Sequence, residues 1–262
     1  MSEKLVAILI PVYQDCLNEF EYTSLSKCFN FWGNKFDIYF VKPKSLDIIN
    51  IQKHFVSSKV ADFDDNYFIN MVGYNRLMLA TGFYERFLNY KYVFIYQTDG
   101  YVFRDELEDW CRKDYDYIGA PWIPKERNDK PYYRIYVSAR KLINKLLKRK
   151  DRSVQYYKVG NGGVSLRKTE LFRSITITDK VNIGKYISNL GKGSLFNEDI
   201  YWSLAPISKP DYKEALCFAF DMNPSVCYKL THNQLPFCCH SFSKPKFWKF
   251  WKNHIELKNE KI

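Results

Sequence analysis

No run of about 18 or more apolar residues occurs in the 262-residue chain, so the sequence contains no candidate membrane span. Ser2, Glu3 and Lys4 lead straight into an apolar strand pattern, which is not the shape of a secretory signal. Cys-x-x-Cys pairs are missing, and the cysteines (Cys16, Cys28, Cys111, Cys217, Cys227, Cys238 and Cys239) are odd in number. A zinc ribbon and a secreted disulfide framework are both disfavoured, and the thiols are expected to be reduced and mostly buried. The sequence also lacks Gly-x-Gly-x-x-Gly and Gly-x-x-x-x-Gly-Lys loops, which speaks against a dinucleotide site and a P-loop. Acids are in short supply, 29 against 40 Lys and Arg. The net charge of +11 suggests an anionic partner: a nucleotide, a nucleic acid or a phospholipid surface. Together these features predict a soluble, cytoplasmic protein with the option of peripheral contact at the inner face of the membrane.

The length suits one large domain with a substantial core. Aromatics, 18% of residues, are abundant enough both to build that core and to line ligand surfaces. Leu5–Ile10 followed by Pro11-Val12-Tyr13 reads as a buried strand closed by a proline turn. Glu19–Phe31 fits a helix, and Phe36–Val41 the next strand, ended by Pro43. This β-α-β opening predicts an α/β fold with a mostly parallel sheet. Asp62, Asp64 and Asp65 suit a solvated loop or a helix start. Asn70 to Asn89 has helical spacing and carries Tyr74, Asn75 and Arg76; that arginine either meets an anionic group or stays on the surface.

The organising stretch is Tyr92–Phe103, an apolar run interrupted by Gln97-Thr98-Asp99-Gly100. Asp99 ends a predicted buried strand, where α/β sheets bind ligands, although Asp-Gly between apolar runs is equally a hairpin signal. Leu107–Lys113 reads as a short helix and Tyr115–Trp122 as a strand running into a turn. Lys125 to Arg152 reads as a basic amphipathic helix, either a solvated face or a surface for anionic lipid. Gly160-Asn161-Gly162-Gly163 supplies backbone freedom at positive φ and room for close approach to the main chain, or is simply a turn. In Asn197-Glu198-Asp199 an N-cap residue precedes two acids, which suits either the helix dipole or a base with its orienting neighbour. His240 is the histidine in a structured, partly apolar setting, which suits either a satisfied core residue or a ligand. The tail, Lys244–Lys252, alternates aromatics with lysines, a pattern for a membrane interface or for a helix docked by its Trp residues.

The order of these words resembles nucleotide-sugar glycosyltransferases of the GT-A fold, and most closely a bacterial glycosyltransferase-like family known as a domain of unknown function. The resemblance runs from Ile8–Tyr13 to Phe237–Trp251 and rests on Tyr96-Gln97-Thr98-Asp99, Tyr117–Trp122, Gly160–Gly163, Asn197-Glu198-Asp199 and His240. It implies a single Rossmann-like GT-A domain over residues 1–243, with a mixed, mostly parallel sheet flanked by helices, followed by a basic aromatic tail over 244–262. It also implies transfer of a sugar from a nucleotide-sugar donor to a glycan or lipid-linked acceptor in cell-surface polysaccharide biosynthesis. Asp99 matches the metal-binding end of the family's Asp-x-Asp motif, with Gln97 standing where the first acid would be. Asp99 and His240 would hold Mn²⁺ or Mg²⁺ on the donor diphosphate. Pro11, Val12, Tyr13 and Lys42 would take the base and ribose. Tyr74, Asn75 and Arg76 would bind the donor beside Gln97 and Thr98, and Gly160, Asn161, Gly162 and Gly163 would lie against donor and acceptor. The catalytic base would be Asp199, with Glu198 as its substitute.

Two rivals stand beside this reading. One is a non-catalytic carbohydrate- or nucleotide-binding protein of the same fold, suggested by Gln97. The other, nucleic-acid binding, is set aside because the basic residues gather in one helix and the tail without a nucleic-acid motif.

Overall fold

In the computed structural model, residues 3–125 and 152–258 are described, with residues 135, 138, 139, 142 and 143 between them. Most of the basic segment from Lys125 to Arg152 therefore lies outside the described residues.

Strands β1 (Lys4–Pro11), β2 (Asp37–Pro43), β3 (Lys59–Phe63), β4 (Tyr90–Tyr96), β6 (Tyr117–Gly119) and β7 (Val164–Lys168) form one sheet in the order β3-β2-β1-β4-β7-β6. The first four pair in parallel; β7 runs antiparallel to both β4 and β6. Because both faces of β1 and β4 are covered, their side chains serve two cores in alternation. Ile8, Ile10, Phe94 and Tyr96 join Trp32 and Phe237 on one face. Ala7, Leu9, Val93 and Ile95 meet Met78, Tyr84, Phe172 and Trp202 on the other. Helix α1 (Glu19–Trp32) covers the first face, and its start is set by a capping box in which Asn18 accepts from Glu21 N while Glu21 accepts from Asn18 N. A short helix, α2 (Ile49–His54), links β2 to β3 and buries Ile51 in the same core.

From β1 the chain moves outward to β2 and β3, then returns to place β4 on the other side of β1. Such a reversal opens a crevice beyond the carboxyl ends of the two central strands. Pro11-Val12-Tyr13 and Gln97-Thr98-Asp99 lie at those ends.

A second sheet is built from three short strands, β5 (Tyr101–Val102), β8 (Ala219–Phe220) and β9 (Cys238–Cys239), in the order β5-β9-β8. It corrects the hairpin reading of Tyr92–Phe103. The turn is tight, with Gly100 N donating to Gln97 O at 2.8 Å, but β4 already has β1 and β7 on its two edges. The continuation therefore pairs with β9 instead of folding back on β4.

Two other expectations change. The helix expected over Asn70–Asn89 is two helices, α3 (Met71–Met78) and α4 (Thr81–Glu85). The Met78 carbonyl accepts from the Tyr84 hydroxyl at 2.9 Å, and the break falls at Ala80, whose extended backbone (φ −87°, ψ 133°) separates the two helices. The strand expected over Tyr115–Trp122 shrinks to Tyr117–Gly119, with an isolated bridge between Pro121 and Val159. The seven cysteines are all free thiols, five buried and two exposed. In the tail, the helix Pro245–Trp251 buries Phe247 and Trp251 against Phe220, Cys239 and Phe242, and Trp248 meets the Phe20 ring edge-on. Lys244, Lys246, Lys249 and Lys252 remain exposed. Among the described residues no helix is long and apolar enough to cross a membrane.

Candidate active site

The small sheet decides which side chains meet at the crevice. Phe220 pairs with Cys239 and Cys239 with Tyr101, so the residues beside these strands, Asp221, His240 and Asp99, are drawn together. His240 Nε2 lies 3.0 Å from Asp99 Oδ1 and 3.1 Å from Gln97 Oε1. On the other side of the ring, Nδ1 donates to Asp221 Oδ1 at 3.1 Å. Burial alone would lower the imidazole pKa, but Asp99 and Asp221 outweigh it and push His240 up to about 10. Burial would likewise raise Asp99, yet His240 and then Lys244 hold it below the usual carboxylate value.

Among the described residues no three His, Cys, Asp or Glu side chains surround one point as a metal cage. The available donors are Asp99 Oδ1, His240 Nε2 and the amide oxygen of Gln97. Asp99 Oδ1 and His240 Nε2 stand in ion-pair contact at 3.0 Å, and with the Gln97 amide oxygen they are donor types that would hold a hard divalent cation once Nε2 gives up its proton. A carboxylate behind the far nitrogen of a ligand histidine is a usual support for such a site.

The glycine loop lies over this cluster for reasons of space. None of its glycines has positive φ, which corrects the conformational part of the expectation; positive-φ glycines occur at Gly191 and Gly193. A Cβ on Gly163 would stand 2.2 Å from His240 Nε2, and one on Gly162 2.2 Å from Glu198 Oε1. Asn161 Oδ1 accepts from Gly163 N at 3.0 Å, and Asn161 Nδ2 donates to Asp221 Oδ2 at 3.1 Å.

Beneath the loop, Arg167 is wholly buried and pairs with the equally buried Glu198 at 3.1 Å. Its guanidinium also donates to Tyr84 Oη at 2.9 Å and Ser165 Oγ at 3.1 Å. The second oxygen of Glu198 is buried, with no hydrogen-bond partner among the described residues. Glu198 and Asp199 open the helix Glu198–Leu204, but Asn197 makes no side-chain cap. Asn75 supplies one from α3, its Oδ1 accepting from Glu198 N at 2.6 Å. Half-buried Asp199 is pushed up to about 8, by burial first and then by the negative Glu198 and Asp221.

At the end of β1, Pro11 and Val12 are buried and Tyr13 is 45% exposed. The Tyr13 ring meets Phe68 at 5.8 Å and Tyr74 at 6.2 Å, both edge-on. Lys42, at the end of β2, donates to Pro43 O at 3.1 Å. The structure does not gather every expected residue equally. Thr98 Oγ1 donates to Glu21 at 2.9 Å, and Arg76 lies on the exposed side of α3 while Tyr74 and Asn75 face inward.

Residues 57–240 match a family described as "Protein of unknown function (DUF5672)". The chain belongs to that family. No curated protein matches it in sequence. In structure, an active-site mutant of LgtC superposes with a TM-score of 0.53 at 13% identity, over 89% of this chain and 86% of that one. A second LgtC structure, described as a galactosyltransferase in complex with donor and acceptor sugar analogues, gives 0.49 at 11% identity over 89% and 86%. The bifunctional glycosyltransferase WbbM, in its apo form, gives 0.50 at 13% identity, over 91% of this chain but 45% of its own. The superpositions at 0.53 and 0.50 give this chain the GT-A fold.

Sequence reasoning missed Asp221, Arg167 and Lys244. Asp221 carried a usable signal, since it ends the apolar run Phe218-Ala219-Phe220 as Asp99 follows its own strand. Arg167 carried none, because a charged residue in a strand gives no sign of full burial.

Proposed function

We propose that this chain is a glycosyltransferase that moves a sugar from a nucleotide-sugar donor to a glycan or lipid-linked acceptor, in cell-surface polysaccharide assembly. The observation that carries the reading is the meeting of two carboxylate centres at the sheet's reversal point. Asp99 with His240 forms one, and Asp199, titrating near 8, the other, with Asp221 close to both.

In this reading Tyr13, backed by Phe68 and Tyr74, offers a ring face to the nucleobase, with Pro11, Val12 and Lys42 around the ribose. Asp99, Gln97 and His240 hold Mn²⁺ or Mg²⁺, which when bound neutralises charge on the departing nucleoside diphosphate. Gly162 and Gly163, lacking a Cβ, let Glu198 and His240 pack against the main chain of the loop, and the loop Gly160–Gly163 lies against donor and acceptor. Asp199 takes the proton from the acceptor hydroxyl; its pKa near the working pH suits a general base. Glu198, fixed by Arg167, presents its unpaired oxygen as the substitute base or as an acceptor for a sugar hydroxyl. Arg76 reaches the donor from the rim of α3. The exposed lysines of the tail helix supply any contact with anionic lipid, since the aromatic residues Phe247 and Trp251 are packed inward.

The test is a panel of nucleotide sugars scored by thermal shift with and without Mn²⁺, followed by donor hydrolysis and transfer assays. One donor should stabilise the protein in a metal-dependent way, and turnover should vanish in Asp99→Ala and Asp199→Asn while folding persists. Unaltered turnover in both variants would refute the site. Gln97 in the acidic motif favours a second reading, a binding protein without turnover, which predicts the same thermal shift but no product. Sedimentation with anionic vesicles should weaken when Lys246, Lys249 and Lys252 are changed to Ala; undiminished binding would remove the tail from the account.

A further inference from the structure

We propose that Asp221 is a positioning residue: it fixes the His240 ring with Nε2 directed at Asp99 and Gln97, and through Asn161 it ties that ring to the glycine loop. This inference rests on the metal-dependent reading above.

An ionised carboxylate can only accept, so Asp221 Oδ1, 3.1 Å from His240 Nδ1, requires the proton to sit on Nδ1. Asp99 Oδ1 and Gln97 Oε1 are both acceptors, so Nε2 also carries a proton in the metal-free protein, and it is the ring nitrogen that a metal beside Asp99 would take by displacing that proton. Ser241 Oγ lies equally near Nδ1, but it is uncharged and accepts from Lys244 Nζ at 2.7 Å. The charged Asp221 is the stronger partner, since hydrogen bonds to ionised groups are about twice as strong as neutral ones.

The second oxygen of Asp221 closes a ring of hydrogen bonds. It accepts from Asn161 Nδ2 at 3.1 Å, Asn161 Oδ1 accepts from Gly163 N at 3.0 Å, and Gly163 O accepts from Gln97 N at 2.9 Å. In the metal-free protein His240 Nε2–H donates to Gln97 Oε1 at 3.1 Å and closes the ring, a bond that a metal on Nε2 would replace. The ring joins the β4–β5 turn, the glycine loop, the end of β8 and the end of β9. Asp221 and Asn161 are both more than nine-tenths buried, so water offers little competition for these bonds. A shift of the loop against an arriving donor is therefore passed to the histidine, and a shift of the histidine to the loop.

The test is Mn²⁺ affinity, read from the electron paramagnetic resonance signal of free Mn²⁺, in the wild type, Asp221→Asn and Asn161→Ala. Asp221→Asn keeps the shape but loses the charge, and its amide cannot satisfy both His240 Nδ1–H and Asn161 Nδ2 as acceptor. Its Kd for Mn²⁺ should rise about 10–100-fold, the usual cost of losing a partner behind a ligand histidine. Asn161→Ala frees one oxygen of Asp221 and should weaken Mn²⁺ about several-fold; it also carries the test if Asp221→Asn does not fold. A merely structural role would lower the unfolding midpoint and leave the Kd of the folded protein unchanged. Unchanged Kd in the folded variants overturns this inference and leaves the glycosyltransferase reading standing. A wild type that binds no Mn²⁺ at millimolar concentration overturns the metal assignment, and this inference with it.

Discussion

Asp199 offers the sharpest test, because its titration should appear in both rate and stability. Its carboxyl is raised from 3.8 to about 8, so as a base it is ionised to about 1% at pH 6, about 10% at pH 7 and about half at pH 8. kcat/KM should therefore climb roughly tenfold per unit below pH 8 and level off above it. Asp199→Asn should lower turnover about 10²–10⁴-fold and abolish that limb. Stability moves the opposite way. The folded-state pKa lies above the unfolded value, so the native protein holds the proton more tightly. The resulting stability is fully present below about pH 4 and is lost as pH rises through 8, by at most about 1.4 kcal/mol per pH unit. Asn does not titrate, so the urea midpoint of Asp199→Asn should gain on the wild type between pH 5 and pH 8. Donor hydrolysis over pH 5.5–9 and urea unfolding at the two ends of that window measure both effects. A rate limb that survives in Asp199→Asn, or a stability difference that stays constant with pH, would refute the reasoning.

Arg167→Met leaves Glu198 buried without its counter-charge and should cost about 3–5 kcal/mol, or roughly 6–10 °C in Tm by circular dichroism. The double variant Arg167→Met with Glu198→Leu should recover most of that loss, and a single variant as stable as the wild type would show the pair to be solvated. Gly163→Ala places a methyl where His240 Nε2 now lies, so thermal stabilisation by Mn²⁺ should disappear while the circular dichroism spectrum persists. Trp251→Ala should cost about 3–5 kcal/mol in urea unfolding, because the ring is wholly buried; a loss under about 1 kcal/mol would mean the tail helix adds little to the fold.

Much of the scaffold is legible in the order of residues alone. Leu5–Ile10 and Tyr92–Tyr96 announce themselves as strands buried on both faces, since only such strands carry unbroken apolar runs, and Glu19 to Phe31 reads as a helix from its spacing. Asp99, His240, Glu198 and Asp199 stand out because a polar residue ending an apolar run, or opening a helix, is where a sheet or helix meets a ligand. Local pattern is also why Asn70–Asn89 reads as one helix: the hydroxyl of Tyr84 reaching back to Met78 is a contact that spacing does not encode.

The succession of elements, and the chemical character of the residues at their ends, are written in the chain. Which of those ends meet is a matter of tertiary structure. Asp99 lies far along the chain from Asp221 and His240, and the three become neighbours because β8 and β9 pair, and because β4, with both edges occupied, sends its continuation to β9. The burial of Arg167 beneath the glycine loop is likewise a consequence of strand pairing. Charge and apolarity are properties of single residues, whereas a coordination site or an ion pair is a property of distances, and those are set by how the two sheets close on each other.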